Sequence, residues 1–301
     1  MQSSLVQLKK RIKKSQIRNT LGTWQESEKQ LGTHTYMKPV KINAPLPKYS
    51  YLKKQIIENI DFILLETKAH AKDTKLNSGT EKNKAYELEM EYSVRVAFDL
   101  AKRRRKFLAF FDKYESNEFT NAFLKIIEEV AKENRQVKFQ PYFTNKAIFH
   151  ILKDLKKWDV TLTSSMCENL FTNLSLLITG SKCMLPIAKL GYNKIIYQPM
   201  HGCALDIAGK GSANPLAAIL CIALMFDLSF DLPEAAKLID VAINKTLIQG
   251  YKPIDLINKG ESFSFTDEIT EAVLRNIAGT RHFIAAHKLT NSQEFIYPEG
   301  L

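Results

Sequence analysis

The sequence predicts an α/β protein with a largely parallel sheet, because short apolar runs of strand length alternate with longer amphipathic runs of helix length. The alternation is clearest between residues 61 and 164, where DFILLE, FLAFFD and DVTLTS are separated by segments such as NAFLKIIEEVAKENR. The 301 residues, 45% of them hydrophobic, are enough for a substantial core. The sequence contains no internal repeat that would change this prediction.

The N-terminal part of the chain predicts a basic helix followed by an extended segment. Residues 3–18 place Leu5, Leu8 and Ile12 on one helical face opposite lysines and arginines, and no acidic residue precedes Glu26. Such a segment is typical of an organelle-targeting helix and predicts a mitochondrial, matrix-side location. The alternative is that it is simply the exposed first helix of the fold. The segment GTHTYMKPVKINAPL is predicted to be extended, since its prolines stop helices.

The remaining elements follow from hydrophobic periods of two and of three to four residues. The predicted strands are 61–66, 107–112, 137–143 and 159–164, and the predicted helices are 51–60, 91–106, 121–135, 145–158, 215–226, 232–249 and 266–286. The polar, lysine-rich segment 67–84 predicts a loop. The run KRRRK closes one predicted helix, where cations complement the negative end of the helix dipole.

Composition argues against several classes of protein. The chain carries 43 basic and 32 acidic residues, but this excess is spread along the sequence and no nucleic-acid-binding motif accompanies it. Nucleic acid is therefore not an expected partner. The cysteines form no CxxC pair and predict buried, reduced thiols; they are Cys167, Cys183, Cys203 and Cys221. No run of 18 apolar residues occurs, so no transmembrane segment is predicted.

The most specific motif is the loop HGCALDIAGKGSANP at residues 201–215, where small residues surround Asp206 ahead of an apolar helix. The longer stretch YQPMHGCALDIAGKGSANPLAAILCIALMF resembles the isocitrate/isopropylmalate dehydrogenase family, as do MKPVK, IDFILLE, VRVAFDLAKRRRK, FDK and WDVTLTS in the same order. The resemblance begins near residue 5. It implies a two-domain α/β fold that lacks the family's first βα segment. One domain would be 1–43 with 180–301, and the other 44–179.

The resemblance implies that the loop held the adenosine end of NAD. The matching positions are His201, Gly202, Asp206, Ile207 and Asn214. A carboxylate at the ribose hydroxyls favours NAD over NADP, because it repels the extra phosphate. The alternative is that the loop is kept for packing, since its asparagine can cap the following helix. If the loop is kept for packing, no cofactor is expected. Residual NAD binding is left open.

The family's metal and catalytic residues match poorly. Three aspartates that bind Mg²⁺ or Mn²⁺ in the family correspond to Asn169, Asn173 and Thr144, and no metal is expected, because amides and hydroxyls carry no charge. The family's catalytic lysine matches Lys113, which we interpret as vestigial. The position of its catalytic tyrosine falls on Asp73.

The arginines that clamp substrate carboxylates in the family are also replaced. The corresponding residues are Lys38, Lys48 and Glu66. Lysine keeps the charge of arginine but loses its planar fork. Glu66 is a charge reversal that would repel a dicarboxylate.

These departures predict a catalytically degenerate member of the family, a pseudoenzyme that serves as a structural or accessory subunit of a larger, mitochondrial complex. One alternative is a non-catalytic regulatory subunit of a hetero-oligomeric NAD-dependent isocitrate dehydrogenase. The other is an active dehydrogenase with a rearranged site. In each case the expected partners are protein subunits, in a homodimer, a heterodimer of the same fold or a larger assembly.

Overall fold

The α/β prediction is confirmed by a computed structural model, in which one seven-stranded mixed sheet carries helices on both faces. The structure describes residues 30–42, 48–68, 81–112, 118–143, 147–164, 167–258 and 260–290. The predicted helix 3–18 lies outside these residues, as does most of the predicted loop 67–84.

The strands are β1 (Thr33–Lys41), β2 (Asp61–Thr67), β3 (Phe107–Asp112), β4 (Lys138–Phe143), β5 (Val160–Thr163), β6 (Pro186–Gly191) and β7 (Ile195–Pro199). The helices are α1 (Lys54–Ile57), α2 (Glu81–Arg103), α3 (Glu118–Glu133), α4 (Ala147–Lys153), α5 (Glu168–Thr179), α6 (Leu216–Leu228), α7 (Pro233–Ile248) and α8 (Thr266–Thr290). The four predicted strands are therefore confirmed as β2 to β5, and the predicted extended segment contains β1.

The sheet has the strand order β4-β3-β5-β2-β1-β6-β7. The strands β2, β5, β3 and β4 pair in parallel, as predicted, whereas β1 pairs antiparallel with both β2 and β6. The antiparallel hairpin of β6 and β7 was not predicted, because β6 begins at Pro186 and carries Lys189, which are unusual in a buried strand. Strands from both predicted domains join this one sheet, and the domain division stays a prediction.

Alternate residues of the central strands face two separate cores. Val40 and Leu64 pack on one side with Phe171 of α5, and Met37 and Leu65 pack on the other with residues of α2 and α3. This alternation follows from the two-residue period of a strand. The sheet is therefore covered on both faces, which explains the apolar runs that predicted the parallel strands.

Helix α2 begins ten residues before the predicted start, at Glu81. Its first ten residues, EKNKAYELEM, are rich in good helix formers although they have little apolar period. The helix ends at Arg103, so Arg104 and Arg105 lie beyond it. These arginines form ion pairs instead of simply complementing the helix dipole.

The ion pairs tie the end of α2 to the beginnings of two strands. Arg104 Nε donates to Asp159 Oδ1 at 2.7 Å, and Arg104 Nη2 donates to Asp61 Oδ1 at 2.7 Å. The backbone N–H of Arg105 donates to Asp159 Oδ2 at 2.7 Å. Asp159, which directly precedes β5, is fully buried and therefore depends on these partners.

The four cysteines are free, with Cys167 and Cys221 buried, Cys183 half-buried and Cys203 exposed. Burial, with Asp255 nearby, raises the pKa of Cys183 to about 11, so this thiol is protonated at neutral pH. Of the helices that the structure describes, none is long and apolar enough to cross a membrane.

His34 of β1 is a buried histidine with an incomplete set of hydrogen bonds. Its ring lies 4.8 Å from the Tyr92 ring and 4.9 Å from the Tyr192 ring. Its Nδ1 is 3.1 Å from Thr35 Oγ1, whereas its Nε2 has no hydrogen-bond partner among the described residues. Burial lowers the pKa of His34 to about 4, so the ring is neutral at pH 7.

We expect His34→Phe to remove part of the acid sensitivity of the fold. Because the folded pKa is about 4 and the unfolded value is 6.5, the unfolded chain takes up the proton first, and stability is lost as the pH falls through this window. The loss between pH 7 and pH 4.5 is on the order of 2 kcal/mol. Urea unfolding at both pH values should show a larger loss for the wild type than for the variant, and equal losses would contradict the assignment.

Candidate functional site

Two residues singled out in the sequence, Lys38 and Glu66, meet at the carboxyl end of β2. Lys38 Nζ donates to Glu66 Oε2 at 2.5 Å and to Thr172 Oγ1 of α5 at 2.8 Å. Thr172 Oγ1 lies 3.4 Å from Glu66 Oε1. We call Lys38, Glu66 and Thr172 the buried ion-pair cluster, since Lys38 is 3% and Glu66 is 0% exposed.

The strand register explains why these side chains meet. In the antiparallel pairing of β1 with β2, Lys38 is opposite Leu64 and Tyr36 is opposite Glu66. Lys38 and Glu66 are therefore diagonal neighbours on the same face of the sheet, within reach of long side chains. Glu66 was predicted to repel a dicarboxylate. In the structure its carboxylate forms an ion pair with Lys38.

Two further lysines lie beside the cluster around the ring of Tyr36. Lys189 of β6 is opposite Tyr36 in the β1–β6 register, and its Nζ lies 4.9 Å from the centre of the Tyr36 ring. Lys68 Nζ lies 4.5 Å from the same ring. Lys189 is only 4% exposed, so a second ammonium group is buried here. The positive charges favour an anionic ligand such as a carboxylate.

Lys48, the other residue at a predicted clamp position, is exposed on a turn before α1. The structure does not join it to the buried ion-pair cluster by any described contact. Lys113 and Asp73 lie outside the described residues. Asp112, which directly precedes Lys113, is fully buried and accepts hydrogen bonds from Thr120 Oγ1 at 2.8 Å and Ser164 Oγ at 3.0 Å.

The predicted replacements of the metal ligands do not assemble a divalent-metal site in the part of the chain that is described. Asn173 is exposed on α5, Asn169 lies in the first turn of α5 with a side chain outside the described set, and Thr144 is outside it altogether. Within the same limits, no three His, Cys, Asp or Glu side chains group closely enough to bind a metal. The remaining neutral amides are poor ligands for Mg²⁺.

The loop at residues 201–214, which we call the nucleotide loop after the resemblance in the sequence, is open to solvent at its tip. Turns formed by Ile207 N–H to the Ala204 carbonyl at 3.1 Å and Lys210 N–H to the Ile207 carbonyl at 3.1 Å shape its backbone. Asp206 is exposed and Ile207 is half-buried. A Cβ added to Gly202 would meet no atom within 4 Å, so the protein itself leaves room beside this backbone. Close approach of a ligand to the backbone is one established use of glycine.

The floor of the nucleotide loop is fixed by Asn214, which is 6% exposed. Its Oδ1 accepts from the Leu216 N–H at 2.9 Å, and its Nδ2 donates to Asp255 Oδ2 at 3.2 Å. Asp255 also accepts from the hydroxyl of Ser181. The Asn214 side chain therefore braces the start of α6, as the capping alternative predicted. His201, at the other end, has Nδ1 3.0 Å from the Gly202 carbonyl.

The first turn of α8 holds the far side of the nucleotide loop. The Thr266 N–H donates to the Gly211 carbonyl at 2.7 Å, and Thr266 Oγ1 donates to the Ala213 carbonyl at 2.5 Å. An open cavity of about 540 Å³ lies here, lined in part by Gly211 and Phe265. The loop therefore has both an exposed carboxylate and an adjacent hollow.

Several residues of these two regions were missed in the sequence, namely Thr172, Ser181, Lys189 and Asp255. Thr172 lies between Asn169 and Asn173, which the sequence analysis had considered. Its polar hydroxyl is the only feature of the sequence that could have marked it as a site residue. Asp255 contacts Asn214 across 41 positions, and no local pattern points to such a pairing.

Comparison with known proteins gives a consistent result. The sequence profile described as isocitrate/isopropylmalate dehydrogenase matches residues 11–273. The 3-isopropylmalate dehydrogenase of Shouchella clausii (strain KSM-K16) is 31% identical in an alignment of 261 positions that covers 83% of this chain and 72% of that protein. That of Bacillus subtilis (strain 168) is 33% identical in an alignment of 265 positions that covers 81% of this chain and 70% of that protein.

Solved structures support the fold. An isocitrate dehydrogenase from Methylococcus capsulatus matches with a TM-score of 0.65 and 20% sequence identity, over 81% of this chain and 73% of that chain. The TT0538 protein from Thermus thermophilus matches with a TM-score of 0.64 and 23% identity, over 81% and 50%.

These comparisons correct the predictions about activity. A non-catalytic structural subunit, or a regulatory one, is the wrong interpretation, because the relatives at 31% and 33% identity are named as dehydrogenases. The expectation of no cofactor is wrong for the same reason, since the activity for which these relatives are named needs a hydride acceptor. A mitochondrial assembly is likewise corrected, because these relatives are bacterial. The location of the protein itself stays a prediction from residues 3–18, which are outside the described residues.

Proposed function

The chain belongs to the isocitrate/isopropylmalate dehydrogenase family, and we propose that it is a dehydrogenase that oxidises a 2-hydroxy acid with a dinucleotide bound at the nucleotide loop. The observation that carries the proposal is the open loop tip, with Gly202 and Asp206 presented above a floor braced by Asn214. When bound, the dinucleotide supplies the hydride acceptor.

NAD is the dinucleotide that this loop favours. The exposed carboxylate of Asp206 can accept hydrogen bonds from two ribose hydroxyls, and it would repel the additional phosphate of NADP. The hollow beside Gly211 and Phe265 offers about 540 Å³ and an aromatic wall for a purine ring. The backbone beside Gly202 leaves space for the ligand to approach.

A carboxylate substrate is favoured by the lysines near the end of β2. Lys38 and Lys189 bring two buried ammonium groups to one face of the sheet, and Lys38 is paired with Glu66. The positive potential of these lysines would attract a substrate carboxylate. We assign no step to a divalent metal, because the donors among the described residues do not fit one. A second subunit of the same fold is part of the proposal, and nucleic acid is not.

We expect Asp206→Asn to weaken NAD binding about tenfold, since two charge-assisted hydrogen bonds become neutral ones. Calorimetric titration should give tighter binding of NAD than of NADP to the wild type, and a smaller difference for the variant. Asp154→Asn is the matched control, because Asp154 is also an exposed aspartate but precedes the short helical turn at 155–157, outside the loop. NAD binding that is absent, or unchanged in Asp206→Asn, would contradict the cofactor assignment.

Turnover is tested separately with a panel of 2-hydroxy acids, by following the absorbance of reduced nicotinamide. The expected result is NAD reduction with at least one member of the panel. NAD binding without any reduction would contradict the dehydrogenase proposal while leaving the loop assignment intact.

A further inference from the structure

An apolar groove lies on the sheet face opposite the buried ion-pair cluster. Its volume is about 230 Å³, and Met37 of β1 and Ile63 of β2 form part of its floor. The end of α2 and the helices α6 and α7 form its walls. Most of the side chains that line it are apolar, among them Leu100, Leu220 and Leu224. We call this the α6 groove.

The charged side chains that line the α6 groove carry both signs, and the cations among them are already paired. Lys41 Nζ donates to Asp240 Oδ2 at 3.0 Å, and Arg104 Nη2 donates to Asp61 Oδ1 at 2.7 Å. A ligand with a net charge would have to compete with these ion pairs, whereas a neutral ligand would leave them intact.

Asp227 is the remaining charged residue of the lining, and charges of both signs act on it. Burial raises the pKa of Asp227, as do the charges of Asp240 and Asp231, and the charge of Arg103 lowers it. Arg103 therefore offsets part of the negative charge around Asp227. The charges of the groove thus give no strong preference for a cationic or an anionic ligand.

A neutral polar side chain, Asn244 of α7, also lines the α6 groove, where it is half-buried. Its side-chain amide forms no hydrogen bond with any residue that the structure describes. An amide can both donate and accept a hydrogen bond. Ligand sites in proteins typically combine an apolar lining with a small number of such groups. Asn244 is therefore placed to bind a polar group of an otherwise apolar ligand.

We propose that the α6 groove is a second ligand site, which binds a small neutral ring compound through its apolar lining and a hydrogen bond to Asn244. An apolar cavity of about 150 Å³ accommodates benzene, so a groove of about 230 Å³ has room for two fused rings. A protein partner fits this volume poorly, because a stable protein interface buries about 800 Å² on each partner.

The α6 groove is separate from both parts of the proposed dehydrogenase site. Met37 and Pro39 face the groove, whereas Lys38 between them points to the buried ion-pair cluster on the other face of β1. No residue of the nucleotide loop, which is described throughout, lines the groove. A ligand in the groove would contact the strand that carries Lys38 without entering the cluster. This position suits an effector better than a substrate.

Titration of the whole chain with indole tests the proposal, by ligand-detected nuclear magnetic resonance and by calorimetry. Indole is neutral and has two fused rings and one N–H donor. We expect it to bind, and we expect its charged relatives tryptamine and indole-3-acetate to bind about tenfold more weakly. Absence of indole binding overturns the proposal. Tighter binding of either charged relative overturns it in favour of a site for a charged ligand.

A pair of alanine variants on α7 locates the binding. Ala236→Leu fills part of the groove and should weaken indole binding about tenfold. Ala235→Leu is the matched control, because Ala235 is also half-buried on α7 but does not line the groove. Its affinity for indole should stay within about twofold of the wild type. Equal losses in the two variants would place the binding elsewhere and overturn the proposal.

Asn244→Leu tests the hydrogen bond. It should weaken indole binding about fivefold, since one hydrogen bond is lost. Benzene has no polar group, and its affinity should change less than about twofold. Equal changes for the two probes would contradict the role of Asn244. Circular dichroism checks that each variant folds, and Asn244→Leu decides the matter if Ala236→Leu does not. None of these measurements needs NAD or turnover, so they stand apart from the dehydrogenase proposal.

Discussion

Replacing Lys38 with methionine is expected to lower the free energy of unfolding by about 3–5 kcal/mol. The change leaves Glu66, which is fully buried, without the ammonium group 2.5 Å from its carboxylate. The hydroxyl of Thr172, 3.4 Å from Glu66, cannot replace that charge. Methionine has nearly the volume and flexibility of lysine, so packing changes little. Urea unfolding at neutral pH measures the effect.

The double variant Lys38→Met/Glu66→Gln is the decisive control for this prediction. Because it removes both charges, most of the stability should return, and the coupling energy of the pair follows from the double-mutant cycle. Lys53→Met changes an exposed lysine and should alter stability by less than about 0.5 kcal/mol. A loss below about 1 kcal/mol in Lys38→Met would contradict the role of the pair.

The Lys38–Glu66 pair also shows how much of the candidate site could be predicted from the sequence. Lys38 and Glu66 were singled out from the sequence as replacements of two substrate-clamping arginines, and no contact between them was predicted. Their meeting depends on the register of β1 against β2, which pairs residues 28 positions apart. A shift of β1 by one residue would send Lys38 to the other face of the sheet, away from Glu66. The sequence supplies no local signal for that register.

The fold was easier to predict where both faces of a strand are buried. Strands β2 and β3 contain continuous apolar runs, and β5 is the short buried segment VTLT; each was found at nearly its observed bounds. The β6–β7 hairpin was missed, because Lys189 interrupts its first strand. The ammonium group of Lys189 lies over the ring of Tyr36 in the neighbouring strand, and this cation–π contact favours the buried lysine. The contact is tertiary, so no local pattern predicts it.

The prediction about activity failed for a different reason. It weighed single positions, such as Asn173 and Glu66, as though each had to keep the chemistry of its counterpart. The similarity to named dehydrogenases extends over about four-fifths of the chain, 83% in one case and 81% in another. The nucleotide loop, with Asp206 exposed and Asn214 braced by Asp255, lies within residues 11–273, which match the family profile. The replacement of single side chains was therefore weaker evidence about activity than this similarity over most of the chain.

Replacing Phe111 with alanine should cost about 3–5 kcal/mol of stability, because it empties the centre of a cluster of aromatic rings. Phe111 is fully buried on β3, and the rings of Tyr142, Trp158 and Phe171 lie 4.9, 5.1 and 5.1 Å from it. Phe111→Leu fills most of the volume and should cost less. Phe149→Ala removes a side chain that is 65% exposed, and should change the unfolding midpoint little.

The Phe111 variant also separates the two halves of the proposed site. Phe171 belongs to α5, and the next residue, Thr172, accepts a hydrogen bond from Lys38 within the buried ion-pair cluster. A cavity beneath Phe171 should let α5 shift and loosen that contact, whereas the nucleotide loop rests on Asn214, Asp255 and the start of α8. We therefore expect Phe111→Ala to raise the KM for the 2-hydroxy acid while NAD affinity, measured below the unfolding transition, stays within about twofold of the wild type. Equal losses of both would mean that α5 supports the loop as well as the cluster.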